Sequence, residues 1–306
     1  MRKSSILLLF LLIFTDSFCQ KTALELDLKQ GAKYLQSMES LAKIQQEIDG
    51  KTLNNEMRMS GTTAFTVKEV NDDGYSMEVQ YEELAFTIDS PSGPLVFSSE
   101  KQADADILSQ ILAEMKKTPF QIRMSRTGKV TEIQNIHLLF EAALSKFPQI
   151  DSNQRDLLMD QLMKSFGKES FKGNMEMVSA IYPDNPVALG ETWDVKTSLR
   201  TGGMSGEMAT IYRFKGGEAG NHIIEGSSII TTTDKDKYSM INGMPTRFEL
   251  EGSMISKIKV DEKSGWIVEA NFEQDIQGTT FIQDNPSLPG GMEIPIVMKN
   301  TMVFSD

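Results

Sequence analysis

His137 and Glu141 stand four residues apart, a spacing that on a helix puts an imidazole and a carboxylate on one face. Such a pair can begin a zinc site, but zinc takes three or four protein ligands, and an exposed i,i+4 pair needs no metal. His222, the only other histidine, lies beside Gly220, and no recognisable motif places a serine or aspartate near it. The single cysteine is Cys19. Neither a G-x-S-x-G elbow, nor a phosphate-cradling loop, nor a dinucleotide fingerprint occurs. Asn71-Asp72-Asp73-Gly74 and the pair Asp234 and Asp236 offer oxygens to calcium. Calcium wants six to eight, and the spaced run of an EF-hand loop is missing, so both clusters read as solvated turns. The expectation is no catalytic residue, no cofactor and no metal: the chain does not read as an enzyme.

Methionine is the least ordinary component, 19 in 306 residues. Met57 and Met59, like Met175 and Met177, are two apart, which puts each pair on one face of a strand; Met240 and Met244 lie close together too. Thioethers bind Cu(I), but they also fill irregular cores and line adaptable apolar surfaces. Without a histidine cluster beside them, core packing is the first reading and an apolar groove the second. The residues assigned to the lining of that groove are Met57, Met59, Met77, Met124, Met208 and Phe140. Trp193, at the end of Pro186-Val187-Ala188-Leu189-Gly190-Glu191-Thr192-Trp193, reads as the anchor of a strand that follows the Gly190 turn.

Alternation of apolar and polar residues dominates the elements that must position these side chains. Leu24, Leu26 and Leu28 predict a half-buried strand. Tyr75, Met77, Val79 and Tyr81 keep one parity, and Leu84, Phe86 and Ile88 keep the other, which predicts a bulge at Glu82-Glu83. Similar runs recur at 193–199, 208–214, 248–260, 266–272 and 294–304. One wet and one apolar face per strand is the mark of an antiparallel sheet. Helical spacing appears at 107–115, at 136–147 ahead of Pro148, and at 157–166 behind Asp151 and Ser152 and before Gly167. Met59-Ser60-Gly61 recurs as Met204-Ser205-Gly206, a faint internal echo.

Arg2 and Lys3, the apolar run 6–14, and small residues Ser17 and Cys19 before Gln20 read as a cleavable signal peptide. Lipidation of Cys19 is the alternative, disfavoured by the bulk of Phe18 before it. A signal of this length is too short to span a bilayer, and the rest of the chain has no run long enough to do so. The mature chain then lacks cysteine and relies on its apolar core. A net charge of -12 argues against nucleic acid as a partner.

The opening Leu24-Glu25-Leu26-Asp27-Leu28-Lys29-Gln30-Gly31, Tyr34, Gln45-Gln46-Glu47-Ile48-Asp49-Gly50, Pro186 to Trp193 and Asp261 to Ile267 carry a resemblance. In these segments the chain resembles a family of uncharacterised secreted proteins of Bacteroidota, a domain of unknown function of the DUF6263 kind. The resemblance implies export and a β-rich fold, and no chemistry.

These readings give an α+β fold: a strongly curved antiparallel sheet, or two, with about three helices on the concave face. The general shape is similar to periplasmic lipoprotein carriers. The expected divisions are a signal peptide at 1–19, an N-terminal β-half at 20–135 with one helix at about 103–117, a helical insert at 136–170, and a C-terminal β-half at 171–306, the two halves related. The expected function is a non-enzymatic exported protein of the cell envelope, periplasmic or extracellular. It would hold an apolar small molecule, a lipid, or a segment of another envelope protein in a concave groove. The alternative is an interaction module with a fully packed interior.

Overall fold

The computed structural model describes residues 21–89, 93–101, 106–201, 204–241, 243–286 and 288–306. The expected signal peptide, with Cys19 and Gln20 at its cleavage point, lies outside the described residues.

The alternating runs become strands with one buried and one wet face. In the first half these are β1 (Lys33–Ile48), β2 (Lys51–Asn71), β3 (Gly74–Ile88), β4 (Leu95–Ser98), β5 (Phe120–Met124) and β6 (Val130–Gln134). The second half contributes β7 (Thr192–Thr201), β8 (Met204–Glu218), β9 (Asn221–Thr232), β10 (Ser239–Ile241), β11 (Met244–Asp261), β12 (Ile267–Ile282) and β13 (Met292–Ser305). All belong to a single antiparallel sheet in the order β6-β5-β3-β2-β1-β13-β12-β11-β9-β8-β7, with β4 on β3 and β10 on β11. Each half is a meander, and the two are joined where β1 pairs with β13, Ser37 against Ser305 through Gln46 against Ile296.

The parity switch in β3 is a register shift: Thr62 faces Glu83 and Thr63 faces Tyr81, so Glu82 is the extra residue. The echo at Met59-Ser60-Gly61 is not structurally equivalent to its partner. Met204 opens β8, whereas Met59 to Gly61 lie inside β2.

Four helices are described: α1 (Ile107–Met115), α2 (Ile136–Leu144), α3 (Ser152–Phe166) and α4 (Lys168–Ser179). Asp106 and Asp151 cap α1 and α3, accepting from Ser109 N at 3.0 Å and Gln154 N at 2.9 Å. The expectation of three helices missed α4, and the helical stretch runs past 170 to Ser179. Met175 and Met177 are therefore helical and do not form a strand pair. α4 buries Ser170, Gly173 and Glu176 as well as Val178, and Phe171 and Met175 pack against the core at helical spacing. Gly173 sets the approach: a Cβ there would sit 3.2 Å from the Arg200 nitrogen and the Ser198 oxygen, so α4 rides directly on the backbone of β7.

The strand expected at Leu24–Leu28 is also corrected. The alternation is real, and all three leucines are 3% exposed, but the segment joins no ladder. It runs as a strap across the end of the sheet where the β2–β3, β5–β6 and β11–β12 turns gather. Leu26 N donates to Arg126 O and Asp27 N to Ser264 O, both at 2.8 Å. Tyr75 Oη donates to Leu26 O at 2.7 Å and accepts from Leu28 N at 3.1 Å. Gly265, at φ +67, lets the turn approach so closely that a Cβ would lie 2.1 Å from Glu25 O.

The outward parity carries charge pairs between neighbouring strands, among them Lys43–Glu56, Lys215–Glu225 and Lys259–Glu269. Exposed pairs like these contribute roughly 0–1 kcal/mol each. Among the described residues no helix is long and apolar enough to cross a membrane.

Because Leu26 is sealed under the sheet end, Leu26→Ala is expected to cost about 3 kcal/mol, measured by urea denaturation, from lost burial and the cavity left behind.

Candidate functional site

The inner face of the sheet has two levels. Near the strap it is closed: Phe65, Tyr75, Met77, Ile258 and Phe272 are all 2% exposed or less. Toward the β1–β2 turn and the β12–β13 loop it is not. Ile44, Met57, Met59, Leu250, Ile296 and Met298 share the inward parity and are only half-buried, and Leu53 is 45% exposed. None of these belongs to the contiguous core cluster or packs against it. Ala42, Ile276 and Ile294 are buried, at 6, 6 and 7% exposure, yet also stay outside it.

The cause is a mismatch between strand length and helix placement. The helices that contact the sheet do so chiefly on β3, β4, β5, β6 and β7. β1, β2, β11, β12 and β13 are 14 to 21 residues long and run on beyond them. α3 packs against α2 and α4, turns Met159, Leu162, Met163 and Phe166 to the core, and reaches β10 through Lys164 Nζ, which donates to Met240 O at 3.0 Å. The inner face also carries a tight strand approach: at Gly278, φ +148, a Cβ would stand 2.0 Å from Glu249 O.

A short polar row separates the two levels. Gln274 of β12 pairs with Asn300 of β13, which pairs with Ala42 of β1. Ser40 Oγ donates to Asn300 Oδ1 at 2.9 Å, and Gln274 is 9% exposed. Farther round, Thr210 and Ser228 hydroxyls satisfy each other at 2.8 Å.

Of the residues expected to line a groove, Met57 and Met59 lie on the half-buried level. Met77, Met124 and Met208, each 1% exposed, and Phe140, 0% exposed, are sealed in the core. Periodicity tells which face a residue takes; it does not tell how far along the strand the helices reach. His137 and Glu141 are both exposed on α2. His222 packs edge-on against Phe214, ring centroids 5.5 Å apart, with its Nδ1 buried and unpartnered among the described residues. The Asn71 cluster is a turn, Asn71 Oδ1 accepting from Asp73 N at 3.1 Å. Trp193 is tied down, its Nε1 donating to Ile181 O at 2.9 Å.

α4 is the element that touches both ends of the strand order. It lies along β7, and its last turn reaches β6, where Glu176 Oε1 accepts from Val130 N at 2.8 Å and Ser179 Oγ donates to Gly128 O at 2.7 Å. Burial raises the Glu176 pKa, opposed by Lys172, the Val130 N–H and Lys129. A carboxyl whose folded pKa is raised binds a proton in the native state more readily than in the unfolded one. Stability therefore falls as pH rises from its ordinary value of 4.5 through the raised one. Glu176→Gln, which keeps an acceptor for Val130 N, is expected to remove that slope, checked by denaturation midpoints at a series of pH values.

No curated protein matches the chain. A family model described as a family of unknown function (DUF6263) matches residues 72–267. That span includes Pro186 to Trp193 and Asp261 to Ile267, and leaves out the opening segments at 24–31 and 45–50. Among solved structures, an outer membrane channel from Pseudomonas putida F1 aligns over 92% of this chain and 97% of its own, at 6% identity and a TM-score of 0.23. A DUF1329 family protein from Desulfovibrio piger aligns over 88% of this chain and 84% of its own, at 9% identity and a TM-score of 0.15. TM-scores this low do not establish a shared fold, and neither likeness carries weight.

Proposed function

We propose that this chain, which belongs to the family of unknown function DUF6263, is a non-enzymatic cell-envelope protein that holds an apolar ligand against the upper inner face of its sheet. The observation that carries the reading is the pair of levels. One end of the interior is packed to closure, while Ile44, Met57, Met59, Ile296 and Met298 form a second apolar surface that joins no core. Large apolar side chains on the inward parity, left half-covered behind a charged outer face, are what a ligand site requires. The methionines suit a ligand of variable shape, since their side chains adapt. In this reading the sheet curves around the ligand, with the bulge at Glu82 and the tight approach at Gly278 supplying the bend. α3 lies across part of the opening. Export rests on Arg2, Lys3 and the apolar run 6–14, with cleavage before Gln20 or, as the alternative, an anchor on Cys19.

The test is native mass spectrometry of protein purified without detergent, followed by titration with an uncharged fluorescent acyl probe. Saturable binding is expected, and Met57→Glu with Met59→Glu should weaken it at least about tenfold, because charge in an apolar site is costly. A bare polypeptide mass together with no probe uptake would rule the reading out.

One observation favours the other reading, a module that binds a protein and no ligand. Ile211, Ile229 and Ile255 are 56, 67 and 57% exposed on the outer faces of β8, β9 and β11. Ile211 and Ile255 both pair with Ser227, and Ile229 sits one diagonal step away, so the three form one apolar patch.

A further inference from the structure

We infer that the outer face of β8, β9 and β11 is the interface of a homodimer, in which a second copy of this chain lies on the first about a two-fold axis running across the strands. The interface is on the outer surface and forms whether or not the inner face takes a ligand. Ile211, Ile229 and Ile255 stand there 56, 67 and 57% exposed. Strand register sets them among small neighbours in two rows: Ile211, Ser227 and Ile255 in one, Ala209, Ile229 and Ser253 in the next. No charged residue interrupts this block, although charge borders it on every side. A contiguous apolar patch with a charged rim marks an interaction site.

The rim decides the partner. The row above the block holds Arg213, Glu225 and Lys257, and the row below it holds Glu207, Thr231 and Glu251. A two-fold axis across the strands, between the two rows of the block, lays each strand over its own copy in the reverse direction. Arg213 then faces Glu207 of the second copy, Lys257 faces Glu251, and on β7 Asp194 faces Lys196. Inside the block Ile211 falls on Ala209, Ile229 on Ser227 and Ile255 on Ser253, large against small each time, so the two layers interlock. Every match occurs twice, because such an interface is self-complementary. An axis along β9 would instead set Arg213 against Lys257 and Glu207 against Glu251, like charge on like, so the charge pattern selects the first arrangement. One like pair remains among these rows, Glu273 with Asp275, at the margin on β12, where Lys299 already lies 3.4 Å from Asp275. Four strands about 4.8 Å apart and four rows about 6.6 Å apart give a footprint of roughly 500 Å² per copy, near the lower bound for a specific interface. The dimer is therefore weak and reversible.

Sedimentation equilibrium of the purified protein is expected to show a reversible dimer with a Kd on the order of 10 μM. Ile229→Glu should weaken it at least about tenfold without lowering the melting temperature, since the position is exposed in the single chain and a carboxylate in the interface is costly. Lys257→Glu and Glu251→Lys should each weaken the dimer at least about tenfold as well. Mixed one to one, those two variants should associate within about threefold of the parent protein, because one then carries acid at both positions and the other base at both. A parent protein that stays monomeric to about 500 μM leaves the patch to a different chain and overturns the homodimer. A dimer that Ile229→Glu leaves intact overturns it too, as does a mixture that fails to associate although both variants melt with the parent. A dimeric protein that takes up no acyl probe loses the ligand reading alone, and a monomeric one that takes it up loses the homodimer alone.

Discussion

The pairing of β1 with β13 is the constraint on which the rest of the architecture depends. Ser37 to Gln46 against Ser305 to Ile296 is the only ladder that connects the first meander to the second among the described residues. It links segments some 260 residues apart in the chain, so it forms at a high cost in loop entropy and must be repaid by what it brings together. What it brings together is the middle of the inner face. Ala42, Ile44 and Met57 on one side meet Ile296, Met298 and Asn300 on the other, and the Ser40–Asn300 hydrogen bond crosses the seam itself.

Two different solutions cover the inner face. Over the first and last strands, helices and the strap fill the space with side chains, and the result is a conventional core. Over the far ends of the central strands the cover is partial, and Ile44, Met57, Met59, Ile296 and Met298 stay half-buried although Ala42, Ile276 and Ile294 are buried. Large surfaces of apolar side chains are seldom left half-covered in a folded chain without a partner. The outer face mixes oppositely charged pairs across neighbouring strands, such as Lys43 with Glu56 and Lys259 with Glu269, with exposed apolar residues such as Ile211, Ile229 and Ile255.

Much of this was legible in the sequence. The strands announce themselves by parity, and the Glu82 bulge by a switch of parity, because a pleated backbone sends side chains to alternate faces without exception. α3 was legible from its cap at Asp151. α4 was missed although Phe171, Met175 and Val178 stand at helical spacing, because a helix resting on a strand backbone also buries Ser170, Gly173 and Glu176, which interrupt the apolar pattern. The strap at Leu24 to Leu28 has a strand's alternation without a strand's partners, and alternation reports burial alone. For the site, Met57 and Met59 could be picked out by their spacing. The seam could not, since periodicity names the face and never the partner. Gln274 did leave a signal: it stands at an apolar parity between Phe272 and Ile276, a polar residue where the pattern calls for an oily one.

The position of α4 carries one more consequence. β7 ends the strand order, and a strand of ten residues in that position offers a row of free amides and carbonyls to any extended segment that drifts by. The helix resting on it at Gly173 blocks that approach. Loosening α4, through a larger side chain at Gly173 or loss of the Glu176 contact with β6, would uncover the margin and invite copies of the chain to stack edge to edge. The close approach at Gly173 thus sets α4 against the last strand of the sheet, where a further strand would otherwise pair.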